Sequence, residues 1–328
     1  MRFQALSLTT PSANVAGAES ATPPEYVFPV NVRYGYTPAG VSLPTQPSAP
    51  TFSGTVRYVG SVGGDYATVA LAVAAATAGD IIEVRAGYTS TETGTVTINK
   101  SLEIRGANRS TSVITGPASL TNPLLSVAAG VNNVYIHTAT IRNNQVPSTD
   151  GGGLSSCITA ATMTQAYPNG SSGLYFSDLN IVQPKMGISI QGASFVIENC
   201  TFTCNTATAA TTVRAVINYG QTGDCFVKDC TITATSDATP RTVVCYVTAN
   251  NPGAGTFVPG HQGNFVFKNV VENGTCNAYY LQDVLHQPDT RNSSNYQNAP
   301  TPGSLGLWFD GCSFNGQWSG NSITFVDS

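Results

Sequence analysis

Asp283, His286, Asp289 and Arg291 fall within nine residues, and they are the densest group of proton-transfer side chains in the chain. A histidine between two carboxylates, with a guanidinium beside them, has the composition of an acid/base cluster. The prolines and asparagines around them fit a solvated loop equally well. A second set suits recognition: Tyr167, Phe257 and Tyr296, with His261, lie in long polar segments and could stack on sugars or on a partner protein. A third set is periodic. Glu198, Lys228, Lys268 and Asp310 recur at one position of a repeat, where opposite charges would stack as a surface ladder of small energetic value.

That repeat is best seen in Val196-Ile197-Glu198-Asn199-Cys200-Thr201-Phe202. It returns around Cys230 and Cys312, and in copies centred on Ala139, Leu179 and Val270. The third residue before the cysteine column is apolar throughout: Ile136, Phe176, Ile197, Val227, Phe267 and Phe309. Between the apolar columns sit Thr138, Asp178, Asn199, Asp229, Asn269 and Gly311. Asn, Asp and Gly tolerate the left-handed region, so the column reads as a one-residue corner between two short strands. A corner repeated at one place turns the chain aside rather than back, and predicts a solenoid of stacked coils, a parallel β-helix.

A second strand precedes each repeat, as in Leu124–Val127, Gly187–Ile190 and Val244–Val247. The longest insertions, 160–172, 249–264 and 282–304, all precede the corner-bearing strand, so they should emerge on one side. Upstream, Asp65 is placed to cap a helix over 66–78, with Gly79 as its stop and Val69, Ala72, Val73 and Ala76 on its apolar face. Such a helix can plug the open first coil. Ser322–Val326 reads as a final strand.

Helix, then "AGDIIEVRAGYTS", then "TVTINKSLEIRGAN", with the later "FVIENCTF" and "FVKDCTI", resembles right-handed β-helix proteins of the pectin-lyase-like superfamily over residues 60–328. The resemblance implies an all-β, right-handed parallel β-helix with a short N-terminal capping helix. It implies little about function, because this fold hosts many activities. The superfamily includes pectate lyases, polygalacturonases, pectin methylesterases and phage tailspike depolymerases. The strings expected of polygalacturonase-like hydrolysis are missing, and Gly260-His261-Gln262-Gly263 is only an approximation to one of them.

Composition narrows the classes. Charged residues make up 10% of the 328, the net charge is −4 and no basic run occurs, which argues against nucleic-acid binding. No apolar stretch reaches the ~18 residues of a membrane span. Met1–Leu8 is a weak secretion signal. Eight cysteines are too few for a disulfide scaffold; Cys200 and Cys230 fall in a core column as stacked thiols, although a bridge between them is sterically open. The spacings indicate no metal site and no cofactor. Residues 1–55, with eight prolines, predict an extended arm, and 56–328 the β-helix domain.

These features favour a non-enzymatic structural protein of an exposed assembly: a virion fibre, spike or capsid-decoration subunit. Residues 1–55 would anchor it to other subunits, with trimerisation by analogy and a location on a virion or extracellular surface. Two alternatives stand beside it. One is a polysaccharide-acting β-helix enzyme. The other is a glycan-binding surface adhesin using the long-loop side.

Overall fold

The computed structural model describes residues 44–312 apart from 118–119, 121, 145–155, 161–170, 184–185, 192, 207–212, 220–222, 237–241, 249–262, 274–279 and 282–304. Among these residues the strands form three sheets, and every strand pairing is parallel. A nine-stranded front sheet runs in chain order through Val56–Val59, Ile81–Val84, Leu102–Gly106, Asn132–His137, Ser172–Ser177, Phe195–Glu198, Cys225–Lys228, Gly263–Lys268 and Leu305–Asp310. A side sheet of seven strands begins at Thr89–Thr91 and includes Thr140–Arg142, Asn180–Gln183, Thr201–Thr206 and Thr231–Ser236. A back sheet of seven begins at Val96–Ile98 and includes Ser156–Ala160, Met186–Gln191, Val213–Tyr219 and Thr242–Thr248. Each coil therefore visits the front, side and back sheets before stacking on the next. This is a right-handed parallel β-helix, the hand that strand–crossover–strand units take.

The core is built from columns that run through the coils. Ile82, Ile104, Ile136, Phe176, Ile197, Val227 and Phe267 lie in register along the front sheet and point inward. Ala139, Leu179, Cys200, Cys230, Val270 and Cys312 form the neighbouring buried column. Burial raises the Cys200 and Cys225 thiols well above their ordinary range and lifts Cys312 to about 11. These cysteines are packing groups rather than nucleophiles.

Between the two columns the chain bends at Thr138, Asp178, Asn199, Asp229, Asn269 and Gly311, all with positive φ. The bends from Thr138 to Asn269 keep their backbone paired to the next coil: Asn199 N–H donates to Lys228 O at 3.0 Å, and Asp229 N–H to Lys268 O at 2.8 Å. Side chains add a second ladder, with Asn269 Nδ2 donating to Asp229 Oδ1 at 2.7 Å and Asn199 Nδ2 to Asp178 Oδ1 at 3.3 Å. Gly311 meets this ladder edge-on, since a Cβ there would lie 2.6 Å from Asn269 Oδ1.

The capping helix is shorter than the sequence pattern implies. It spans Val69–Ala75 and its N-cap is Thr68, not Asp65. Asp65 is taken by Arg85, and Tyr66 pairs with Val59, so residues before Thr68 belong to a turn held against the first strand. The first coil satisfies both helix ends. Glu92 accepts from Val69 N–H at 2.9 Å and Ala70 N–H at 3.1 Å, while Lys100 Nζ donates to Val73 O and Ala76 O. Val69, Ala72 and Val73 join the main core cluster, so the helix closes the end of the barrel.

Residues 1–43, most of the expected arm, and the expected strand Ser322–Val326 lie outside the described residues. The long insertions do separate back from front strands, as between Ser156–Ala160 and Ser172–Ser177, but the bulk of each lies outside too.

Candidate functional site on the outer face of the front sheet

Outward side chains of the front sheet fall into two columns. The first runs Glu103, Tyr135, Tyr175, Val196, Phe226, Val266. The second runs Glu83, Arg105, His137, Ser177, Glu198, Lys228, Lys268, Asp310. An outer sheet face is normally polar. Here the first column is aromatic and apolar beyond Glu103, and Tyr175, Val196, Phe226 and Val266 form a buried cluster of their own outside the barrel.

Residues ahead of the first strand contribute the cover. Ala49 packs against this cluster. Gln46 Nε2 donates to Tyr175 Oη at 2.9 Å and to Glu198 Oε2 at 2.7 Å. Tyr175 Oη in turn donates to Glu198 Oε1 at 2.7 Å. Burial first, and then the adjacent Glu198 carboxylate, push the Tyr175 hydroxyl far above the ordinary phenol range, so it stays a neutral donor.

Toward the capped end the face becomes polar. Tyr135 stacks on His137, with ring centroids 4.0 Å apart, and meets Tyr175 edge-on at 5.4 Å. Tyr135 Oη and Ser177 Oγ are 3.0 Å apart. His137 Nε2 lies 3.0 Å from Glu103 Oε1 and its Nδ1 2.9 Å from Thr138 Oγ1, so both ring nitrogens are engaged. Arg105 bridges Glu103 at 2.9 Å and Glu83 at 2.7 Å.

The expected charge ladder is present along the second column, with Lys268 Nζ 3.2 Å from Asp310 Oδ2, but Glu198 also has closer partners. Lys228 Nζ is 3.9 Å from Glu198 Oε2, longer than the bonds Glu198 makes to Tyr175 and Gln46. Glu198 is thus a hydrogen-bonding member of the aromatic patch. Glu103 and Glu198 stand three strands apart, roughly 14 Å at ~4.8 Å per strand. That exceeds the ~5–9.5 Å of paired glycosidase acids. Asp178 and Asp229 occupy bends, with Arg109 Nη1 3.1 Å from Asp178.

The sequence-proposed residues Asp283, His286, Asp289, Arg291, Tyr167, Phe257, His261 and Tyr296 all lie outside the described residues. Sequence reasoning missed Gln46, Glu103, Tyr135, His137 and Tyr175. The available signal was the column four places before the cysteines, which is aromatic or apolar in every copy although it points away from the core.

No protein-family profile matches the chain, and no curated protein matches it. Several solved structures do. A pectin methylesterase in complex with a hexasaccharide is 13% identical with a TM-score of 0.43, covering 84% of this chain and 94% of that one. The pectin methylesterase PemA from Erwinia chrysanthemi is 14% identical with the same score and coverage. The pectin methylesterase from Aspergillus niger in deglycosylated form is 13% identical, with a TM-score of 0.42, covering 86% and 94%.

The expectation of a non-enzymatic virion component is corrected and not carried further: the solved structures similar to this chain include pectin methylesterases. The described end of the expected anchor also lies on the protein's own front sheet, through Gln46 and Ala49. By its stacked parallel coils and its capped end, the chain is a right-handed parallel β-helix, the fold that its sequence resembles.

Proposed function

We propose that the protein acts on polysaccharide, holding an extended glycan along the outer face of the front sheet. The observation that carries this reading is the outward Tyr135–Tyr175 pair flanked by Ser177 and Glu198. Aromatic rings offer flat apolar area for the C–H faces of sugar rings, and hydroxyl and carboxylate groups beside them take the sugar hydroxyls. At Glu198 the acceptor is anionic, so the ligand must donate there and an uncharged sugar is favoured. A hexasaccharide is the ligand in one solved pectin methylesterase complex of similar fold. The ligand class proposed here rests on the chemistry of the face.

The test uses full-length protein and its Gln46→Ala form with uncharged glycans (fully methyl-esterified homogalacturonan, xylan, cellohexaose) and with de-esterified homogalacturonan. Retention is read alongside release of methanol, new reducing ends and unsaturated uronides, which assigns the reaction. Uncharged chains should be retained over the anionic one, and Glu198→Gln should weaken retention about tenfold and remove any product. Absence of retention by both proteins across the panel would end this reading.

A further inference from the structure

We infer that residues 44–50 are an internal occupant of the proposed glycan face, with the Gln46 carboxamide standing where neighbouring sugar hydroxyls would bind. This deepens the polysaccharide reading and rests on it. Gln46 Nε2 makes the two donations that a hydroxyl-rich ligand would make, to Tyr175 Oη and Glu198 Oε2. Ala49 lies against the Tyr175–Val196–Phe226–Val266 cluster, the apolar part of the same surface. The segment thus copies both halves of the ligand chemistry.

Its attachment is of a kind that can be released. Pro44, Pro47 and Pro50 lack an N–H, so the segment cannot pair with the sheet as a regular strand. Among the described residues, regular pairing to the coils begins at Gly54, whose N–H donates to Gly79 O at 3.0 Å, and Thr55, whose N–H donates to Asp80 Oδ1 at 3.0 Å. Ahead of that anchor, the described contacts to the face come from side chains.

The geometry also leaves slack. Eight residues from Gln46 to Gly54 can span up to ~28 Å. The four strand steps from Ile81–Val84 to Phe195–Glu198 need only ~19 Å. An open groove of about 570 Å³ lies between Pro50–Gly54 and Ala78, Gly79, Ser101 and Asn133, giving the segment room to shift about its anchor. A glycan entering the face therefore displaces residues 44–50 while Gly54 and Thr55 keep hold of the first coil.

The experiment compares full-length wild type, Gln46→Ala and Gln46→Glu, each checked for an unchanged circular dichroism spectrum and melting temperature. Gln46→Ala removes both donations, and Gln46→Glu sets a second carboxylate against Glu198. Cellohexaose and fully methyl-esterified hexagalacturonate are the probes, with affinity by calorimetry and backbone hydrogen exchange over 44–54. Both variants should bind about tenfold more tightly than wild type. Saturating probe should raise exchange over 44–50 and lower it in Ser172–Ser177 and Phe195–Glu198. Equal affinity in all three proteins with unchanged exchange over 44–50 overturns the occupant and leaves polysaccharide action to another surface. If no protein binds either probe, the polysaccharide reading falls and takes the occupant with it.

Discussion

The bends hold φ between 51° and 62°, a region where an ordinary L-residue is ~1–2 kcal/mol worse off than in a helix or strand. Asn and Asp relieve this locally, and here they also bond from coil to coil, as Asn269 does to Asp229. Thr138 has the least suitable side chain of the six, since a β-branched residue at φ 53° is strained. Its Oγ1 is tied to His137 Nδ1, beside the polar end of the outer face. Asn269→Ala should therefore cost roughly 1–2 kcal/mol, and Asn269→Gly less, because glycine keeps the angle and loses only the ladder bond. Thr138→Asn should gain about 0.5–1 kcal/mol. Urea unfolding of the three variants, incubated until unfolding and refolding samples agree, measures these differences. This column was legible in the sequence because the demand on the backbone is local and recurs. The partners of Tyr175 were not legible, because Gln46 is 129 residues away and no spacing rule links them.

At the scale of elements, the join between the entering segment, the helix and the first coil turns on Asp80. Its carboxylate accepts from Thr77 N–H at 2.9 Å, Arg57 Nε at 2.8 Å and Thr55 N–H at 3.0 Å. The Thr77 N–H, helped by Arg57 and Thr55, outweighs burial and holds its pKa at about 2. The folded value lies below the ~3.9 of an unfolded aspartate. Its contribution is therefore fully present above about pH 4 and is lost as pH falls from about 4 to about 2. Asp80→Asn should lower stability by roughly 1–3 kcal/mol at pH 7 and flatten the acid limb between pH 4 and 2. Denaturant melts at pH 7, 4 and 2.5 check both effects. The helix itself was readable from Val69, Ala72 and Val73, which do face the core. Its start was misread because Asp65 looks like a cap until Arg85, twenty residues later, claims it.

For the molecule as a whole, the solenoid, its three strands per coil and its buried columns could all be read from one seven-residue pattern. In a parallel stack each coil repeats the demands of its neighbours. The outer face was the part that periodicity misjudged. Alternation assigns Tyr135, Tyr175, Val196, Phe226 and Val266 to the outside, and they are there. What alternation does not convey is that an outside column of that composition needs a cover, and that residues ahead of the first strand reach it.

One property of the stack bears on how long the molecule lasts. Its closest-spaced strand registers, Leu174 with Phe195 and Asn180 with Thr201, still join residues 21 positions apart. Among the described strands no pair can meet before a full winding has been closed, so the entropy of that closure comes before any reward. The same obstacle faces the return path: a winding in mid-stack is clamped from both sides and comes apart only after an end has peeled. Unfolding and refolding curves in urea should fail to superimpose over hours, with endurance set by the height of a barrier more than by the depth of the well.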